Sequence, residues 1–165
     1  MKEFALDCEL DLPRPRSEVF AFFADAHNLQ IITPPWLKFK VLTPAPIVMR
    51  PGTLIDYRIT VHGLPIRWRT EIAEWDPPHQ FVDVQLRGPY TLWHHTHSFE
   101  ERDSGTLCLD RVRYCPRGGA LVHWLFVRRD VERIFQYRQQ RLKAMFGYTA
   151  NHSLAGEVTA PRGSR

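Results

Sequence analysis

Cysteine is scarce in this chain, three in 165 residues, and no two of them form Cys-x-x-Cys. An odd count without that spacing argues against a disulfide framework or a zinc ribbon, so Cys8, Cys108 and Cys115 read as reduced thiols. No apolar run approaches the roughly 18 residues of a membrane span. The opening "MKEFALDCELDLPRP" carries acids where a secretory signal needs an apolar core. The expected location is therefore the cytoplasm, with no integral membrane span. Runs of lysine and arginine are missing too. The net charge of +4 comes from scattered arginines, which leaves no nucleic-acid footprint. A dinucleotide fingerprint, a phosphate-cradling glycine loop and a nucleophile elbow are all absent, which disfavours nucleotide-dependent and hydrolase chemistry.

What is present is patterned hydrophobicity and many aromatic rings, 12% of the chain with five tryptophans. Residues 3–12, "EFALDCELDL", alternate strictly, with Phe4, Leu6, Cys8, Leu10 and Leu12 on one face, and predict a half-buried strand. A short helix follows, with Ser17 as its N-cap and Val19, Phe20, Phe22 and Phe23 on its apolar face. The chain then bends at Pro34-Pro35, directly before Trp36.

From 38 to 114 the pattern is of strands and turns. Segments 53–61 and 66–75 alternate on either side of "HGLP". Pairing Val61 with Ile66 sets Ile59 opposite Trp68, Tyr57 opposite Thr70 and Ile55 opposite Ile72, so every apolar member shares a face. In "FVDVQL", Val82, Val84 and Leu86 are the expected inward set, and Glu74 falls on the inner face of the strand before it. Strands at 92–101 and 107–114 flank the turn "RDSG". Residues 121–147 then show helical periodicity, with Trp124, Val127, Val131, Ile134, Phe135, Leu142 and Met145 as the stripe and Gly147 at its end.

An antiparallel sheet with one apolar face needs a cover, and only the last helix is long enough to provide it. The expected fold is α+β, a curved seven-stranded antiparallel sheet wrapped around a long C-terminal helix, with a short helical segment after the first strand. One domain is expected over 1–147, and 148–165 is expected to be a disordered polar tail. Gripping a helix in a curved sheet leaves a void between them, where small molecules bind.

This order of elements resembles the START-like helix-grip (SRPBCC) superfamily. The segments "ITPPWLKF", "RWRTEIAEWDPPHQFVDVQLRGPY", "WHHTHSFE", "GTLCLDRVRY" and "FVRRDVERIFQYRQQRL" are similar to its bacterial polyketide cyclase/dehydrase-like branch, over roughly residues 3–147. The resemblance implies the fold. It leaves function open, because one fold hosts many activities.

The stretch "TLWHHTHSFEE" carries the most chemistry. On a strand, His95 and His97 share a face with Trp93 and Phe99, while His94 looks away. Two large aromatics choose the buried side, so both histidines point into the void. With a two-residue turn, Phe99 falls opposite Cys108, His97 opposite Asp110, His95 opposite Val112 and Trp93 opposite Tyr114. His97 and Asp110 then form a pair with His95 and the Tyr114 hydroxyl beside it, and such a pair prepares a general base or satisfies two buried polar groups. Tyr57, Trp68 and Trp93 line the inner sheet, and Trp36 closes one end. Arg138 sits on the helix stripe, where it snorkels outward or meets an acidic ligand group or Glu74. His95, His97 and Asp110 would supply the three ligands of a catalytic zinc site, yet the pattern places no further ligand with them, so neither metal nor cofactor is expected.

Two readings follow. In the first, the chain binds a hydrophobic or aromatic small molecule, lipid or polyketide-like, as a monomer or homodimer. Its ligand would touch Trp36, Tyr57, Trp68, Trp93, His95, His97, Phe99, Tyr114 and Arg138. In the second, it is a cyclase/dehydratase-type enzyme without cofactor, with His97, Asp110 and His95 catalytic. A protein-interaction module is a weaker third possibility, since nothing in the sequence marks a partner face.

Overall fold

The computed structural model describes residues 2–147; the tail expected at 148–165 lies outside them. The elements run β1 (Phe4–Leu12), α1 (Arg16–Ala24), α2 (Leu29–Ile32), β2 (Lys40–Val41), β3 (Leu54–Val61), β4 (Leu64–Asp76), β5 (Gln80–Arg87), β6 (Tyr90–Arg102), β7 (Gly105–Pro116), α3 (Gly119–Val122) and α4 (Arg128–Phe146). The seven strands form one antiparallel sheet in the order β1-β7-β6-β5-β4-β3-β2. The long helix α4 lies across it, as an apolar sheet face requires. Leu10, Leu12, Phe20, Phe23, Phe99 and Leu142 are buried together where β1, α1 and the end of α4 meet.

The β6–β7 register is the one a two-residue turn dictates: Trp93 pairs with Tyr114, His95 with Val112, His97 with Asp110 and Phe99 with Cys108. Elsewhere the local details differ from expectation. Helix α1 starts at Arg16 with Pro15 ahead of it, and no side chain caps it. Ser17 is therefore already helical, because a proline with φ of −58° launches the helix one residue earlier. The β3–β4 turn uses two residues, His62 and Gly63, both with positive φ (49° and 82°), the geometry of a tight hairpin turn. Leu64 thus joins β4, Val61 pairs with it, and Tyr57 lies opposite Trp68. The shift is two residues, so the apolar face is preserved.

Two bulges matter more. β4 and β5 change register between Arg69 and Thr70 and between Ile72 and Glu74. Past the second bulge Trp75 turns inward onto Phe20 and Phe81, and Glu74 is exposed rather than facing the cavity. On β5, Phe81 pairs with His97 and Asp83 with His95, so Phe81 and Asp83 take the inner face. Val82, Val84 and Leu86 alternate to the other side, and Leu86, skipped by the first bulge, is 54% exposed.

The helix stripe also changes phase. A π-helical turn at His123–Val127 separates α3 from α4. Its wider turn buries His123 and leaves Trp124 61% exposed. At the other end Phe146 is buried against Phe22, and Met145 is 40% exposed. All three cysteines are free, as their spacing suggested.

Candidate active site in the sheet–helix cavity

Between the sheet and α4 lies a cavity of about 760 Å³, within the range of sites that bury a small organic molecule. Its walls are largely aromatic and aliphatic, with Phe39, Tyr57, Ile59, Trp68 and Trp93 among them, and Trp36 stands at its edge, 48% exposed. Asp83, His95, His97 and Arg138 are polar groups that reach the same cavity.

The alternation of β6 brings His95 and His97 to one face, with ring centroids 3.7 Å apart. Their partners come from the neighbouring strands. From β7, Asp110 Oδ1 lies 2.9 Å from His95 Nε2 and 2.8 Å from His97 Nδ1. From β5, Asp83 Oδ2 lies 3.1 Å from His97 Nε2 and 3.5 Å from His95 Nδ1. Each carboxylate therefore touches both rings, and each ring touches both carboxylates. Phe81 stacks on His97 at 4.2 Å, and Phe135 of α4 meets His95 at 5.5 Å, so rings on both sides fix the orientation of the imidazoles.

Burial and charge then separate the two histidines. Burial, and next the positive charge of His97, push His95 down to about 4 despite its bond to Asp110. Burial also opposes a charge on His97, but Asp110 and the bonds to Asp110 and Asp83 outweigh it and raise His97 above the ordinary imidazole value. Asp110 is held well below the usual carboxylate range: burial resists, while Arg138, His97 and the bonds from both rings prevail. Asp83 is lowered for similar reasons, against its own burial. The two rings are thus driven apart, His95 toward the neutral form and His97 toward the charged one, beside two carboxylates held toward their charged form. Pairing of opposite charges is the condition for burying so many ionisable groups together.

One donor atom each from Asp83, His95 and His97 lies within 4.8 Å of the others, a set that could hold a metal ion. The third member is Asp83 rather than the expected Asp110, which stands behind the two rings.

Of the residues singled out from sequence, Trp36, Tyr57, Trp68, Trp93, His95, His97 and Arg138 all line the cavity. Phe99 does not: it packs below, against Phe20 and Phe23, because its position on β6 lies beneath α1. The Tyr114 hydroxyl is 3.0 Å from His123 Nε2 and turns away from His95 and His97, since the π-helical turn carries His123 over β7. Asp83 is the member that sequence reasoning missed. The signal was available in Phe81, an aromatic two residues before it that demands the inner face.

Comparison with known proteins fits this geometry. The profile of the family described as polyketide cyclase / dehydrase and lipid transport matches residues 12–143. The chain belongs to that family. No curated protein matches it in sequence. Among solved structures, protein CV1439 from Chromobacterium violaceum superposes with a TM-score of 0.69 at 15% identity, covering 86% of this chain and 96% of its own. The ZhuI aromatase/cyclase from Streptomyces sp. R1128 gives 0.69 at 15% identity, with 88% and 94% covered. Protein Ms6760 from Mycobacterium smegmatis gives 0.61 at 20%, with 87% and 89% covered. At these identities the likeness is one of fold alone. No helix of the described residues is long and apolar enough to cross a membrane.

Proposed function

We propose that this member of the family is a cyclase/dehydratase-type enzyme that enolises a carbonyl compound held in the cavity. The supporting observation is that two imidazoles, joined by two shared carboxylates, open onto an apolar cavity. A carrier needs the cavity but has no use for the cluster. Desolvating four ionisable side chains opposes folding unless they are fully paired, and apolar residues would line a lipid site at less cost.

The roles follow from the charge states. Paired titratable groups whose environments push them apart are suited to act as base and acid. His95, neutral, takes the proton from the carbon next to the carbonyl, and the charge it gains is held by Asp110 through Nε2. His97, driven toward the charged form by Asp110 and Asp83, supplies a proton to the oxygen, either at the carbonyl or at a departing hydroxyl. After the two transfers His95 carries one proton more and His97 one fewer, and exchange with solvent through the cavity returns both rings to their starting state. Enolisation, aldol closure and loss of water all use these two transfers. The aromatase/cyclase named among the structural relatives supports this reaction class over simple carriage.

The test needs no knowledge of the natural substrate. In D₂O the wild-type protein is expected to exchange deuterium into the methyl group of 2-acetonaphthone faster than buffer at the same pH, read by proton NMR. An exchange rate equal to that of buffer would reject the enzymatic reading and favour a carrier.

A further inference from the structure

Two arginines of this chain show what the Nε–Nη2 edge of a guanidinium binds. Arg69 donates from Nε and Nη2 to the two carboxylate oxygens of Asp56, at 2.8 and 2.7 Å. Arg113 donates from the same two atoms to Glu3, at 2.6 and 3.2 Å. Arg138 carries this edge inside the protein. Its Nε and Nη2 are buried, and no acceptor among the described residues meets either.

The guanidinium is held in place by rings. It lies over Phe23 at 5.4 Å and over Phe135 at 5.8 Å, contacts that satisfy its charge but none of its N–H groups. Asp83 and Asp110 are engaged by His95 and His97, so Arg138 acts on Asp110 through space. A buried donor without an acceptor is destabilising, and the planar fork of a side chain that lines the cavity matches one functional group best, a carboxylate bound side-on.

We propose that Arg138 is the carboxylate receptor of the cavity, so that the substrate is an apolar, ring-sized molecule bearing a carboxylate. Bound there, the carboxylate fixes the rest of the molecule against Trp68 and Trp93, with a carbonyl over His95 and His97. Only that last placement rests on the enzymatic reading; the receptor itself does not.

The test compares 2-naphthoate with its neutral analogue 2-naphthamide by isothermal titration calorimetry. On the wild-type protein the carboxylate is expected to bind roughly ten- to a hundredfold more tightly, the worth of one charge-assisted pair. Arg138→Gln should bring the two affinities within about twofold, and Arg138→Lys, which keeps the charge but loses the fork, should fall between. Equal affinities on the wild type, including no detectable binding of either probe, overturn the proposal without any variant. A preference that persists in Arg138→Gln overturns it as well, by placing the carboxylate elsewhere. Because 2-acetonaphthone has no carboxylate, its deuterium exchange stands or falls separately. A His95→Ala protein that no longer exchanges but still prefers naphthoate separates the two readings.

Discussion

His95→Ala is expected to slow deuterium exchange into 2-acetonaphthone by about 10²- to 10⁴-fold, the usual contribution of a positioned general base. His95 is the neutral member of the pair, its tautomer set by the 2.9 Å contact of Nε2 with Asp110. His97→Gln is expected to slow the same reaction, but through the opposite step. It removes the ring that Asp110 and Asp83 raise toward the charged form against the effect of burial, so the substrate oxygen loses its proton source. The two variants should differ in pH dependence. In the wild type, activity requires His95 neutral and His97 charged, a window bounded below by about 4 and above by the raised value of His97. His95→Ala removes the lower limb and His97→Gln the upper. If both variants retained wild-type exchange rates, the cluster would have a structural role only.

Asp110→Ala should be the most destabilising change in the cavity, by about 3–5 kcal/mol in urea unfolding, the cost of removing one partner from a buried charged pair. Asp110 is shared by both imidazoles and opposed by Arg138, so its loss leaves positive charge buried without compensation. A loss below about 1 kcal/mol, the level of an exposed ion pair, would show that the cluster is more hydrated than its burial indicates. The same groups set the pH dependence of wild-type stability. His95 has a folded value of about 4 against an ordinary 6.5, so its contribution is full above 6.5 and is lost as pH falls toward 4. His97 is raised, so its contribution is full below 6.5 and is lost as pH rises through its folded value. Asp83 and Asp110 are depressed, and their contributions disappear only below the ordinary carboxylate range. From the histidine pair, stability should peak near pH 6.5.

Much of this was legible in the sequence where a strong period of two met a short turn. The alternation in β1, the shared face of Trp93, His95, His97 and Phe99, and the pairing of His97 with Asp110 all follow from strand geometry alone. What could not be read were the interruptions of that geometry. Ala73 and Leu86 are skipped at bulges, and the skip of Ala73 inverts the faces that follow it, so Glu74 lost the inner side it seemed to have. A bulge leaves little trace in composition, since the extra residue needs only to be tolerated at the sheet surface. The π-helical turn at His123–Val127 hides in the same way. It shifts a helix by a fraction of a turn, which took Trp124 out of the stripe and gave Tyr114 a partner other than His95. The unmet edge of Arg138 belongs to a different kind of blindness: sequence places an arginine on the stripe, but only coordinates show which of its N–H groups find acceptors.

Acid and base roles at this site turn on the division of charge between two imidazoles whose centroids are 3.7 Å apart. A long-range ¹H–¹⁵N correlation NMR titration of the imidazole nitrogens, from pH 4 to 9, measures it directly. The expected result is His97 taking its second proton above the ordinary 6.5, with His95 neutral as the Nε2–H tautomer until pH approaches 4. Two rings titrating together near the ordinary value of 6.5, or His95 taking its proton before His97, would contradict it.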